Sequence, residues 1–168
     1  MNTANKLTML RILMIPVFMV FLYLGLPYYF ALSVFLLASA TDFADGYIAR
    51  RYNQITDFGK FMDPLADKLL VMAAMAWFVQ VGAMPAWAFL IVIGREFAVT
   101  ALRLIAVDKG RVIAADFSGK LKTVVTMVAL SVMMCPISDL INLVCWVAIL
   151  VVTTYSGMDY FIKNRDIF

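Results

Sequence analysis

The stretch Thr41–Leu70, TDFADGYIARRYNQITDFGKFMDPLADKLL, holds five aspartates. Asp42 and Asp45 are spaced i, i+3, and Asp63 and Asp67 are spaced i, i+4. On an α-helix either spacing sets two carboxylates on one face. The connection between them is short, so the two helices are expected to be antiparallel neighbours whose pairs converge on one small volume. Four converging carboxylates repel one another unless cations hold them. The chain has no histidine, and Cys135 and Cys145 lack metal-ligand spacing, which argues against a zinc site or a histidine-based triad. Both cysteines read as packing residues. An oxygen-only donor set suits magnesium, manganese or calcium. Two such ions about 4 Å apart, bridged by shared carboxylates, form a clamp for in-line phosphoryl displacement. Gly46, Gly59 and Ala49 are small enough to let a phosphate or nucleotide approach closely. Arg50 can grip phosphate oxygens through two parallel hydrogen bonds. Any one aspartate could instead be a solvated helix end, and Asp57 is read that way, as a loop residue. Asp42 and Asp45 resist that reading, because they sit near the inner end of an apolar segment where an unpaired charge is costly.

The elements that position these residues follow from composition. Of 168 residues, 64% are hydrophobic and 15% charged, with a mean hydropathy of +0.92. A soluble domain carries about 25% charged residues. Long uncharged runs recur along the whole chain, so the expected fold is an all-α polytopic membrane protein lying in the lipid bilayer. About six transmembrane helices are expected, near Thr8–Leu24, Tyr28–Ala49, Phe61–Val81, Pro85–Val107, Leu121–Met134 and Leu140–Tyr160. Glycines and prolines mark the joints at Gly25, Pro27, Gly82, Pro85 and Pro136. No linker or low-complexity tract interrupts them, so residues 1–168 read as a single membrane domain. The basic start and first apolar run lack a small-x-small cleavage site and read as a retained first span.

Charge distribution then orients the spans. Lys6, Arg11, Arg50, Arg51, Lys60, Lys109, Arg111, Lys120, Lys122, Lys163 and Arg165 fall at the termini or in alternate connections, while the other connections have no lysine or arginine. The positive-inside bias places both termini in the cytoplasm and the aspartates at the cytoplasmic end of the second and third spans. A net charge of +3 is too small to suggest nucleic acid as a partner.

Asp42-x-x-Asp45-Gly46-x-x-Ala49-Arg50, eight residues, then Gly59-x-x-x-Asp63-x-x-x-Asp67 resembles the signature of the CDP-alcohol phosphotransferases. The resemblance implies that Asp42, Asp45, Asp63 and Asp67 bind two divalent cations, Mg2+ or Mn2+. It implies also that Asp67 is the general base, and that Gly46, Ala49, Arg50 and Gly59 help hold the CDP group. The expected reaction is attack by an alcohol on the lipid-side phosphorus of a CDP-linked lipid, with CMP leaving.

The alcohol has to be read elsewhere. Arg95 and Glu96 lie within the fourth span, with Arg103 beyond them, and intramembrane ionisable groups are functional candidates. With Arg111, Lys120 and Lys122 they suit an anionic acceptor. Asn5-Lys6-Leu7-Thr8 with Arg11, Asp63-Pro64-Leu65-Ala66-Asp67-Lys68, Gly94-Arg95-Glu96-Phe97 with Leu102-Arg103, and Gly119-Lys120-Leu121-Lys122-Thr123 are similar to segments of the bacterial phosphatidylglycerophosphate synthases. That similarity implies CDP-diacylglycerol and sn-glycerol 3-phosphate as substrates, a location in the bacterial cytoplasmic membrane, and a homodimer. The cytidine is expected near Asn5, Thr8, Asp42 and Gly46, and the acceptor phosphate near Arg95, Arg103, Arg111, Lys120 and Lys122. Two rivals remain. The first is the same reaction with phosphatidylglycerol, inositol phosphate or serine as acceptor. The second is a divalent-cation transporter, which would need acidic groups deep in several spans. The deep charges of the fourth span are mostly basic.

Overall fold

The computed structural model describes residues 3–51, 57–111, 113 and 116–167; within these, the side chains of residues 3–6, 42–51, 57–61, 63, 64 and 167 are outside the description. The described residues form six α-helices and no strand: α1 (Thr3–Tyr23), α2 (Tyr28–Arg51), α3 (Asp57–Gln80), α4 (Ala86–Asp108), α5 (Phe117–Met133) and α6 (Asp139–Lys163). A 3-10 turn, Arg165–Ile167, follows. Every helix lies where the apolar runs place it. Several helix ends run beyond the expected bounds, α1 beginning at Thr3 rather than Thr8 and α2 ending at Arg51 rather than Ala49, and two further differences bear on charged residues. Asp57, expected in a loop, is the first residue of α3, where a carboxylate suits the helix dipole. Helix α5 starts at Phe117 rather than Leu121, so Lys120 and Lys122 belong to its first turns instead of the connection.

The chain divides into two compact units, Met1–Trp77 with Met134–Pro136, and Phe78–Met133 with Ile137–Phe168. In the first unit, α1 packs on α2. Ala31, Phe35 and Ala38 recur at i, i+4 and i+7 and are buried, which makes the inner stripe of α2. Phe18 of α1, fully buried, meets Phe35 with ring centroids 5.8 Å apart, and Phe21 meets Phe30 edge-on at 6.0 Å. Gly25, at φ 63, turns the chain out of α1 in a left-handed conformation that a Cβ would strain. Trp77 of α3 lies edge-on to Tyr23 at 5.1 Å.

In the second unit, α6 packs against both α4 and α5. The buried stripe of α4 is Ala88, Val92, Val99, Leu102 and Ala106, that of α5 is Ser118, Thr126, Ala129, Leu130 and Met133, and that of α6 is Ile149, Thr153, Ser156, Gly157 and Tyr160. Steps of three and four keep each stripe on one side of its helix. Arg95 occupies the gap between Val92 and Val99, and Lys122 the gap between Ser118 and Thr126. The two cations therefore fall on the inward stripes. Trp87 and Trp146 close the other end of α4 and α6 in an edge-on pair at 5.8 Å.

Polarity is distributed as a bilayer demands. Thr8, Arg11, Ser118, Thr126, Thr153 and Ser156 are buried, whereas Leu90, Phe97, Leu104, Val128, Val151 and Ile162 stand exposed. In water such apolar faces would drive association. Among the described residues α6 alone is both long and apolar enough to cross a membrane by itself. Helix α4 is of similar length but carries Arg95, Glu96 and Arg103, and α5 has 17 residues.

Candidate active site

The aspartate signature lies on α2 and α3. Helix α2 runs unbroken to Arg51, so positions 42, 45, 46, 49 and 50 share one continuous helix, and positions 59, 63 and 67 share α3. The helical spacings read from the sequence are thus present in the backbone. The side chains of Asn5, Asp42, Asp45, Ala49, Arg50 and Asp63, with Gly46 and Gly59, lie outside the described residues. Asp67 is half-buried, one residue after the fully buried Ala66 and a turn before the buried Leu70. Thr8 is buried on α1, one turn before Arg11, which is fully buried. Among the described residues no three acidic or cysteine side chains cluster as a metal site. The donor chemistry of the signature fits a hard divalent cation: two pairs of carboxylates, each pair one turn apart on its own helix, with no histidine in the chain.

The second unit gathers part of the basic set. Arg95 donates from Nη1 to Glu96 Oε1 at 2.9 Å and from Nη2 to Ser156 Oγ at 2.7 Å. Lys122 donates from Nζ to the same Glu96 oxygen at 2.5 Å. The side chains of Arg95, Glu96 and Lys122 are only 12%, 13% and 15% exposed. Among the described residues, these two cations and one anion carry a net charge of +1. The cluster joins α4 to α5 through Lys122 and to α6 through Ser156.

The other expected acceptor residues are held apart from this cluster. Arg103 is about 12 Å further along α4 at 1.5 Å per residue. Its Nε donates to the hydroxyl oxygen of buried Tyr160 at 2.8 Å, and its guanidinium carbon lies 5.4 Å from that ring centroid. Arg111 follows Gly110, whose φ of 72 ends α4, and pairs with Asp166 at the surface. Lys120 is exposed. The structure thus brings Arg95 and Lys122 together and places Arg103, Arg111 and Lys120 elsewhere in the unit.

A further polar staple joins α5 to α6. Ser118 donates to Asp159 at 2.6 Å, and Lys163 donates to Asp159 at 2.9 Å and to Asp116. Asp116 also accepts from the Phe117 backbone N–H, at the first residue of α5, at 2.7 Å. The Lys163 ammonium, and then that N–H, hold the Asp116 carboxyl below its ordinary value. Asp116 and then Asp159 in turn push Lys163 up to about 12. Ser156, Gly157, Tyr160, Ser118 and Asp159 carry no spacing that marks them in the sequence. A small-residue pair, Ser156-Gly157, inside an apolar helix was the one available signal of a close approach.

Comparison with known proteins agrees with the signature. The family model described as CDP-alcohol phosphatidyltransferase matches residues 1–155. The chain is 40% identical to a Bacillus subtilis protein named CDP-diacylglycerol–glycerol-3-phosphate 3-phosphatidyltransferase, over 98% of this chain and 96% of that one. It is 38% identical to a Mycobacterium tuberculosis protein named probable phosphatidylglycerophosphate synthase, over 99% of this chain and 83% of that one. A Rickettsia bellii protein with the same name as the Bacillus relative is 37% identical over 95% of this chain and 93% of its own. With the match extending over nearly the whole sequence, the chain belongs to the CDP-alcohol phosphatidyltransferase family.

Proposed function

We propose that the protein transfers the phosphatidyl group of CDP-diacylglycerol to sn-glycerol 3-phosphate, giving phosphatidylglycerophosphate and CMP. The observation that carries this reading is near full-length similarity to relatives bearing that activity in their names, in a chain that also holds the eight-residue aspartate signature. An acceptor that is itself a phosphate monoester suits the buried pair of cations at Arg95 and Lys122.

Members of this family use divalent metal ions. In our reading Asp42, Asp45, Asp63 and Asp67 hold two of them, Mg2+ or Mn2+. Bound there, the ions would supply charge neutralisation at the diphosphate. The remaining work falls to the chain. Arg50, with Gly46, Ala49 and Gly59 leaving room, grips the CDP phosphates; Asn5 and Thr8 line the cytidine. Asp67 accepts the proton of the acceptor hydroxyl as its oxygen bonds to the lipid-side phosphorus. The bond from that phosphorus to the CMP oxygen breaks, and CMP leaves with the electron pair. Arg95 and Lys122 bind the acceptor phosphate, with Arg103, Arg111 and Lys120 drawing the anion towards them.

We further propose that all six helices span the bacterial cytoplasmic membrane, with both termini and the aspartates on the cytoplasmic side, that residues 1–168 serve as one catalytic domain, and that the protein is a homodimer. Positive charge in alternate connections supports the orientation. The test is CMP release by purified protein supplied with CDP-diacylglycerol and Mg2+. Glycerol 3-phosphate should release CMP where phosphatidylglycerol, inositol phosphate and serine do not. Release with one of those and none with glycerol 3-phosphate overturns the choice of acceptor.

A further inference from the structure

Arg95 has little freedom. Both of its Nη atoms are engaged, one by Glu96 and one by Ser156. Its Nε is buried and has no hydrogen-bond partner among the described residues. The stem passes α6 at Gly157, where a Cβ would stand 3.0 Å from Arg95 Cγ and 3.8 Å from Nε. The bare backbone of Gly157 therefore leaves that strip of α6 to the arginine.

Glu96 is what makes the second cation its neighbour. A single carboxylate oxygen, Oε1, takes Arg95 Nη1 from α4 and Lys122 Nζ from α5. Two like charges held to one atom in a poorly hydrated interior would repel strongly without the anion between them. Lys122 keeps further N–H groups for another acceptor, and Arg95 keeps Nε. Arg95, Lys122 and Glu96 together sum to one positive charge for a phosphate to meet. A neutral amide of the same size would keep one acceptor oxygen but lose the charge that draws both cations in.

We infer that Glu96 is a positioning residue for the acceptor: it clamps Arg95 and Lys122 into one phosphate-binding pair, with Gly157 giving Arg95 its room. The inference rests on the reading above that these cations bind the acceptor phosphate. It assigns Glu96 no contact with substrate. Its signature is a split in kinetics, because the clamp acts on one substrate.

The experiment is steady-state kinetics of CMP release with each substrate varied, on wild type, Arg95→Ala, Lys122→Gln, Glu96→Gln and the Glu96→Gln/Lys122→Gln double variant. Glu96→Gln should raise KM for glycerol 3-phosphate about tenfold, while KM for CDP-diacylglycerol stays within about twofold of wild type. In the Lys122→Gln background the same change should cost less than about threefold, since half of what it clamps is gone. If Arg95→Ala and Lys122→Gln leave KM for glycerol 3-phosphate unchanged, the acceptor-site reading fails, and this inference with it. If they raise it and Glu96→Gln does not, the clamp alone is wrong. A lower KM in Glu96→Gln also overturns the clamp, because the carboxylate would then be a competitor of phosphate. Should Glu96→Gln fail to accumulate in membranes, Glu96→Asp decides. It keeps the charge one methylene short, and a KM raised about threefold supports the clamp while an unchanged one overturns it.

Discussion

Within the first unit the residues of the signature fall inside one short stretch, Asp42–Asp67, on two consecutive helices. Within the second, hydrogen bonds join residues far apart in the chain: Glu96 to Lys122 across 26 positions, Ser118 to Asp159 across 41, Arg103 to Tyr160 across 57 and Arg95 to Ser156 across 61. The first arrangement is written in local spacing; the second comes into being only when α4, α5 and α6 pack. In the proposed mechanism the contrast has a chemical meaning. The local motif handles bond making, which calls for fixed carboxylates, while the assembled cluster selects the alcohol. Change in the first unit should therefore appear in kcat and change in the second in KM for the acceptor.

Four predictions test that division. Asp67→Asn should lower kcat about a thousandfold, with the protein still inserted in membranes. Chelation of divalent ions should abolish CMP release, and added Mg2+ or Mn2+ should restore it. A variant at Asp67 that raised only KM for glycerol 3-phosphate would break the comparison at once. Next in size, Arg95→Ala should raise that KM about thirtyfold, as expected when one member of a buried hydrogen-bonded charge pair is cut away. Gly157→Ala pushes on Arg95 Cγ without removing any charge, and should raise the same KM about threefold at nearly unchanged kcat. An equal loss in kcat there would mean that the two units are not separable in function.

The smallest effect concerns the Asp116–Lys163 pair, which is exposed and screened by salt. The Asp116 carboxyl is held below its ordinary 3.8, so its contribution is complete above about pH 4 and fades as pH falls through the lowered value. Lys163 is raised from 10.5 to about 12, so its contribution is complete below 10.5 and is lost as pH rises through about 12. Between those limits the pair adds no pH dependence. Asp116→Asn should therefore leave the shape of the pH profile of thermal unfolding between pH 5 and 9 as it is in wild type (about that span, from the ordinary carboxylate and lysine values).

How much could be read beforehand follows the same line. Helix positions are legible because long apolar runs are separated by Gly25, Gly82, Pro85 and Pro136. The start of α5 is hard to read because its first turn, Phe117–Lys120, includes Ser118, Gly119 and Lys120, a weaker helix signal than the apolar run after it. Asp57 reads as a loop residue in sequence because it lies outside the signature and ahead of the apolar run expected from Phe61, whereas α3 begins at it. Within each carboxylate pair helix periodicity relates the two members, and α2 and α3 carry both spacings; the full set of eight positions rests on the family resemblance. The basic set was legible only as a list. Arg95, Arg103, Arg111, Lys120 and Lys122 look alike in sequence, and only packing distributes them between Glu96, Tyr160, Asp166 and open surface. Burial on the α4 stripe separates Arg95 from the rest. That stripe could have been traced from Ala88, Val92, Val99 and Leu102.

The way Arg95 is shared between helices also bears on how the protein is made. Ribosomal synthesis delivers α4 before α5 and α6. On leaving the ribosome α4 can form its own Arg95–Glu96 contact, between adjacent residues. Ser156 and Tyr160, which hold the second Nη of Arg95 and the Nε of Arg103, are some sixty residues away on α6. An arginine at the centre of a lone membrane helix costs about 2.5–3.5 kcal/mol on insertion scales. In the proposed topology α4 is thus a reluctant span until its last neighbour arrives, and α6, the most plainly apolar helix of the described chain, would be the one that completes its insertion.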